Sequence, residues 1–238
     1  MRNQKRKSLN WLLFLFGGLF IGRLLHQRRE RKGTFPQIKS VQKGLAELYG
    51  ELDAAFFVGK LQQRYELLYA ERPRFGDRKL QTHVDELIIP VLALYQRLME
   101  KTGDSERSLK EVHDLMLQVV IGKSRVIVPL LGKFSDPFSM LTRAVKFINR
   151  TAFPTPGWEI EYIQEDQTAI AFNIHDCFVM NVLSAYGVPE LTKVFCQFDD
   201  DVAELFPAGI LWVRESTIAQ GAKLCDFRYE RNISANDG

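Results

Sequence analysis

The feature that most constrains the fold is a change of hydrophobic period at the turn cluster Pro154 to Gly157 (P-T-P-G). Before it, apolar residues recur at helical spacing. Val41, Leu45, Leu48, Leu52, Phe56, Leu61, Tyr65 and Leu68 form one such series, closed by Pro73 and Gly76, which predicts one long or two shorter helices between Phe35 and Arg72. Leu80 to Lys101 repeats the pattern, with Pro90 expected to kink or break it. A third helix is expected from Ser105 toward Gly132, with Val126 to Leu131 open to a strand reading, and a shorter helix over Ser139 to Asn149. After Gly157 the texture becomes W-E-I-E-Y-I-Q, then E-D-Q-T, then A-I-A-F-N-I, which alternates as a β-hairpin does. Ile210 to Thr217 and Leu224 to Tyr229, joined around Gly221, predict a second hairpin. The expectation is an α+β protein: an N-terminal helical layer packed on a small antiparallel sheet, with an N-terminal membrane-anchoring helix.

Charge separates that anchor from the rest. Residues 1 to 33 carry nine Lys or Arg against one Glu, so the remaining 205 residues are at −5 although the whole chain is at +3. A mildly acidic domain has no electrostatic footprint for nucleic acid. Between the basic ends lies L-N-W-L-L-F-L-F-G-G-L-F-I-G, Leu9 to Gly22. Extended through Leu25, with Arg23 snorkelling, the run reaches about 17 residues, the lower limit for a membrane span. Trp11 suits the interface, and no small-residue cleavage site follows. The sequence therefore predicts a membrane anchor within residues 1–33, inserted through residues 9–25. It is followed by one α+β domain over 34–232 (helical part 34–153, sheet and cysteine-rich part 154–232) and a tail over 233–238. Three cysteines, an odd number at wide spacing, argue against a disulfide framework and for a domain on the cytoplasmic side.

The chemistry-bearing residues lie between Phe172 and Tyr229, where all three cysteines fall. Asp176 reads as an N-cap with Phe178, Val182 and Leu183 following at helical spacing, which places Cys177 in a first helical turn. Backbone N–H groups there favour a thiolate. His175, two residues earlier, would share a face with Cys177 on an extended strand. Cysteine, histidine and aspartate together permit nucleophilic catalysis, with the thiolate attacking an electrophilic carbon and a base handling the proton. Three thiols plus His175 also match a Cys3His zinc inventory, but intervals of 18 and 28 residues between the cysteines fit no C-x-x-C pattern. On the last strand, alternation puts Cys225, Phe227 and Tyr229 on one face and Asp226 and Arg228 on the other. Arg228 reads either as a cross-strand partner of Asp226 or as a bidentate hold on a substrate carboxylate.

In order, D-C at Cys177, Y-G-V-P-E-L at Tyr186 to Leu191, F-C-x-x-D at Phe195 to Asp199, and T-x-x-x-G-x-x-x-C-D-F-R from Thr217 to Arg228 resemble the L-2-amino-thiazoline-4-carboxylic acid hydrolase family. The resemblance covers roughly residues 140 to 230. It implies hydrolytic ring opening of a cyclic amidine carboxylate to a carbamoyl-cysteine, without a cofactor. The positions matching by motif are Cys177, Cys196, Asp199, Thr217, Gly221, Cys225, Asp226 and Arg228. The reading made from them has Cys177 as nucleophile, with Asp199, His175, Cys196 and Cys225 in the catalytic set. Arg228, Thr217, Gly221 and Asp226 bind the substrate. The closing C-x-F-R also resembles small-molecule-binding vinyl reductase domains, so the alternative is a membrane-anchored module that binds a small molecule or zinc without catalysis.

Overall fold

The computed structural model describes residues 33–233. The expected anchor over residues 9–25 lies outside the described residues, as do positions 234–238 of the tail. In chain order the helices are α1 (Ile38–Tyr49), α2 (Glu51–Glu71), α3 (Arg78–His83), α4 (Ile89–Thr102), α5 (Ser105–Ile121), α6 (Ser124–Ile127) and α7 (Pro137–Ala152). Strands β1 (Trp158–Glu165) and β2 (Ala169–Cys177) follow, then α8 (Phe178–Ala185), α9 (Thr192–Ala203), β3 (Ile210–Val213) and β4 (Cys225–Arg231). Helices and a small antiparallel sheet make this an α+β protein. Among the described residues no single helix is long and apolar enough to cross a membrane.

The described chain forms two compact units. The helical unit comprises residues 33–122 and 179–201. The series expected between Phe35 and Arg72 is two helices, because Gly50 at φ 84° separates α1 from α2 in a conformation that costs glycine little. The Leu80 to Lys101 pattern is likewise interrupted at the proline: a π turn over Val84–Ile88 links α3 to α4, and Pro90 sits in the first turn of α4, where its missing N–H costs nothing. From Ile89 to Tyr95 every residue of α4 is buried, so α4 is the central helix of this unit. α5 is capped by Asp104, whose side chain accepts the Arg107 N–H, one residue before the expected start. It stops at Ile121, well short of Gly132.

The sheet unit comprises residues 123–178 and 202–233. Its strand order is β1-β2-β4-β3, all neighbours antiparallel, so the two expected hairpins share one sheet through the β2–β4 ladder. Val126 to Leu131, open to a strand reading, is instead α6 followed by a 3-10 turn over Val128–Lys133. α7 is longer than expected at both ends and is capped by Asp136, which accepts the Ser139 N–H at 3.1 Å. Its stripe Phe138, Leu141 and Val145 packs with Val128, Leu131, Ile170, Phe172 and Ile210 in one buried cluster. Phe227 and Tyr229 of β4 lie on the same side, and the Phe172 and Phe227 rings stack at 5.0 Å.

Candidate active site

Local pairing decides where the C-terminal end of β2 places its chemistry. Glu159 opposes Asp176 and Ile160 opposes Ile174, so His175 is the extra residue of a bulge. It is exposed, and its Nε2 lies 2.8 Å from Glu161 Oε2. Cys177 faces Trp158 as the last residue of β2, and α8 begins one residue later. The hairpin thus carries extended pairing through Asp176, and the cysteine stands at the strand-to-helix junction instead of inside the first turn. Cys177 is half-buried. Beside it the buried rings of Trp158 and Phe178 approach to 5.4 Å.

β4 runs antiparallel to β2, so its N-terminal end lies at the same end of the sheet. Cys225 opposes Ile174, three residues before Cys177, an offset of about 10 Å along the strand. It is buried, and its Sγ accepts the Ile218 N–H at 3.2 Å. That amide is delivered by a 3-10 turn over Ile218–Gln220. Buried Thr217 precedes the turn and donates its hydroxyl to Gln220 Oε1 at 3.0 Å, while its carbonyl accepts the Ala222 N–H at 3.1 Å. Gly221 closes the turn at φ 92°, with its N–H on Ile218 O at 3.0 Å.

Asp226 holds the approach to this turn. Its carboxylate accepts the Ser216 N–H at 2.7 Å, the Ser216 hydroxyl at 3.0 Å and the Glu215 N–H at 3.1 Å. Burial alone would raise its pKa, but these donors outweigh it and hold Asp226 below the usual carboxylate range. The motif T-x-x-x-G-x-x-x-C-D is thus a folded staple, in which Thr217 and Gly221 shape a turn that Cys225 and Asp226 fasten to β4.

Arg228 reaches other partners. Its Nη1 donates to Phe172 O at 3.1 Å and Phe227 O at 3.0 Å, and its Nη2 donates to Asn173 Oδ1 at 3.0 Å. These bonds use three of the five guanidinium N–H groups and leave the Nε–H and one Nη2–H. Asn173 is a site neighbour outside the expected set, and an amide in the apolar run A-I-A-F-N-I is its signal in the sequence.

Seven of the nine expected site residues therefore belong to the sheet unit. Cys196 and Asp199 belong to the helical unit, on α9, three residues apart and so on one face of that helix; Cys196 is half-buried and Asp199 exposed. Among the described residues no group of three or more His, Cys, Asp or Glu is placed to hold a metal ion.

Two polar constellations of the helical unit escape sequence reading because their partners are far apart in the chain. Buried His113 places Nε2 2.7 Å from Asp201 Oδ2 and Nδ1 3.3 Å from Asp114 Oδ1, with its ring stacked on Phe198. Buried Tyr95 donates its hydroxyl to Glu190 Oε1 at 2.8 Å and lies 3.0 Å from Ser105 Oγ. Burial first, and then Glu190, raises the Tyr95 pKa. Glu190 belongs to Y-G-V-P-E-L, so part of that motif anchors α4.

Residues 81–229, more than half of the chain, match the family model described as L-2-amino-thiazoline-4-carboxylic acid hydrolase. No curated protein matches. Among solved structures, the Fe(II) unliganded H-NOX protein from K. algicida aligns at 13% identity and a TM-score of 0.36, covering 82% of this chain and 94% of its own. A mutant of that protein aligns at 12% and 0.35 over the same shares. A likeness this loose carries no argument about fold or function.

Proposed function

The chain belongs to the L-2-amino-thiazoline-4-carboxylic acid hydrolase family, and on that premise we propose that it hydrolyses a small cyclic amidine or amide bearing a carboxylate. The family match over residues 81–229 is the observation that carries this reading. In the reaction, Cys177 Sγ adds to the amidine carbon and the ring heteroatom, nitrogen or sulfur, leaves with a proton. Water then displaces the cysteine, its oxygen remaining on the carbon as a carbonyl. For an amino-thiazoline carboxylate whose ring carbon–sulfur bond breaks, the product is a carbamoyl-cysteine. His175, in the same unit as Cys177, moves the proton.

The roles divide according to how each group is already engaged. Cys225 is buried with its sulfur on the Ile218 amide, which suits it to holding the loop. Cys177, half-buried at a strand end, is the better nucleophile. The Nε–H and remaining Nη2–H of Arg228 supply two donors for a carboxylate, with the other guanidinium hydrogens fixing the plane of the fork. Residues 9–25 tether the domain to a membrane.

The test is turnover of cyclic amidines with and without a carboxylate. Cys177→Ser should abolish it. Arg228→Lys should lower efficiency on the carboxylate far more than on its amide analogue, because lysine does not reproduce a bidentate contact. An equal loss on both substrates removes the carboxylate role. A non-catalytic binding module is the second reading, favoured by the commitment of Cys225 and Asp226 to loop structure. Stoichiometric ligand binding without turnover would establish it.

A further inference from the structure

α2 is apolar on two opposite faces. Ala54, Phe57, Leu61, Tyr65 and Leu68 are buried within the helical unit. Leu52, Phe56 and Leu67 are instead 89%, 70% and 56% exposed. At helical spacing these three, with Gly59 and Gln63 between them, fall in a sector about 80° wide on the side away from the buried face. A helix that is apolar on both faces and buries only one leaves the other for a partner.

The attachment of residues 33–35 to α2 points to that partner. The Gln62 side chain donates to Gly33 O and accepts the Phe35 N–H at 2.9 Å. Phe35 is buried with its ring edge-on to Tyr65 at 5.5 Å. Residues 33–35 are therefore fastened to the flank of α2. Only H-Q-R-R-E-R-K separates Gly33 from Leu25, the end of the apolar run. Fully extended, that step reaches about 28 Å. Where the run enters a bilayer, the flank of α2 is held within about that reach of the headgroups. On the stripe itself, Lys60 Nζ lies 5.7 Å over the Phe56 ring, a cation able to reach phosphate while its stem and the ring lie deeper. Arg28, Arg29, Arg31 and Lys32 favour the same anionic headgroups.

We propose that the outward face of α2 rests on the lipid surface as a second membrane contact and fixes which way the helical unit faces the bilayer. This rests on the reading that residues 9–25 enter the membrane. The experiment places a tryptophan on the stripe of the full chain (Phe56→Trp) and, separately, at exposed Lys110 of α5 in the same unit (Lys110→Trp), both in a Trp11→Phe background. Vesicles of phosphatidylcholine and phosphatidylglycerol in equal amounts are made with and without brominated acyl chains.

Flotation reports the anchor and quenching reports the face. The expected result is that both variants float, and that bromolipid quenching is about twofold or more greater for Phe56→Trp than for Lys110→Trp, as for a side chain at the headgroup boundary. Flotation with equal quenching overturns the proposal and leaves the anchor intact. Failure to float overturns the anchor and the proposal together. A Phe56→Trp emission shifted to the blue without vesicles also overturns it: a concentration-dependent shift assigns the face to a second copy, and a concentration-independent one to the chain's own apolar run.

Discussion

The guanidinium of Arg231 forks onto the carboxylate of Asp136, with Nη1 3.0 Å from Oδ1 and Nη2 3.1 Å from Oδ2. The last strand thereby grips the N-cap of α7. The Arg231 hydrogen bond first, then those from Ser139, outweigh burial and lower the Asp136 pKa from 3.8 to about 2. A carboxylate depressed in the folded state stabilises above its unfolded pKa, and that contribution is lost as pH falls through the folded value. Stability should therefore decline between about pH 4 and pH 2. Asp136→Asn, which keeps a capping oxygen but no charge, should flatten the decline. Asp136→Ala should cost about 0.5–2 kcal/mol at neutral pH through the lost cap. Urea titrations across this pH range check both; an unchanged slope in Asp136→Asn would assign the acid sensitivity elsewhere.

Cys177 and Cys225 should differ in reactivity. Cys225 is 6% exposed, with its sulfur engaged by the Ile218 amide, so iodoacetamide should reach it only on unfolding. Cys177 should label in the native state at a rate that rises with pH through its thiolate fraction. Peptide mass spectrometry at several times and pH values reads the order. Equal rates for the two would remove the basis for choosing between them.

Gly221 closes the turn that presents Ile218 to Cys225, at φ 92° with nothing within 4 Å of an added Cβ. Gly221→Ala therefore meets no clash and should lose about 1–2 kcal/mol from backbone conformation alone. Because the loss acts through the turn, Cys225 should also become easier to alkylate. Hydrogen exchange at Ile218 that matches wild type would contradict this account.

Tyr95→Phe removes the hydroxyl that joins Glu190 and Ser105 to α4. The cost should be about 1–3 kcal/mol, the usual penalty for leaving buried partners unmatched. The denaturation midpoint should fall at an unchanged m-value.

These cases mark what was legible in the sequence. Period changes gave the α+β class, and turn residues gave both hairpins, because burial on one face imposes those patterns locally. Asp136 and Asp104 were missed as caps because a neighbouring serine reads equally well as a helix start. The place of Cys177 was shifted by hairpin pairing, which extends β2 past a good capping residue. The closing motif was visible as a motif, but the division of its residues into loop staples and Arg228, with Asn173 beside it, needed strand register. Tyr95 with Glu190, and His113 with Asp201, are separated by 95 and 88 residues and leave no local trace.

The β1–β2 hairpin carries two bulges on opposite strands: His175 is the extra residue on β2 and Ile163 the extra residue on β1. Each slips the pairing by one, and the second slip cancels the first, so Glu165 meets Ile170 on the same count by which Trp158 meets Cys177. In the arithmetic of insertions and deletions, the hairpin therefore behaves as a balanced frame. Removing either extra residue alone closes its bulge and leaves every paired residue opposite its partner, whereas removing a paired residue offsets every pair beyond it and inverts the faces there. A deletion in this hairpin is therefore best tolerated at His175 or Ile163, where it leaves the pairing of Cys177 with Trp158 unchanged.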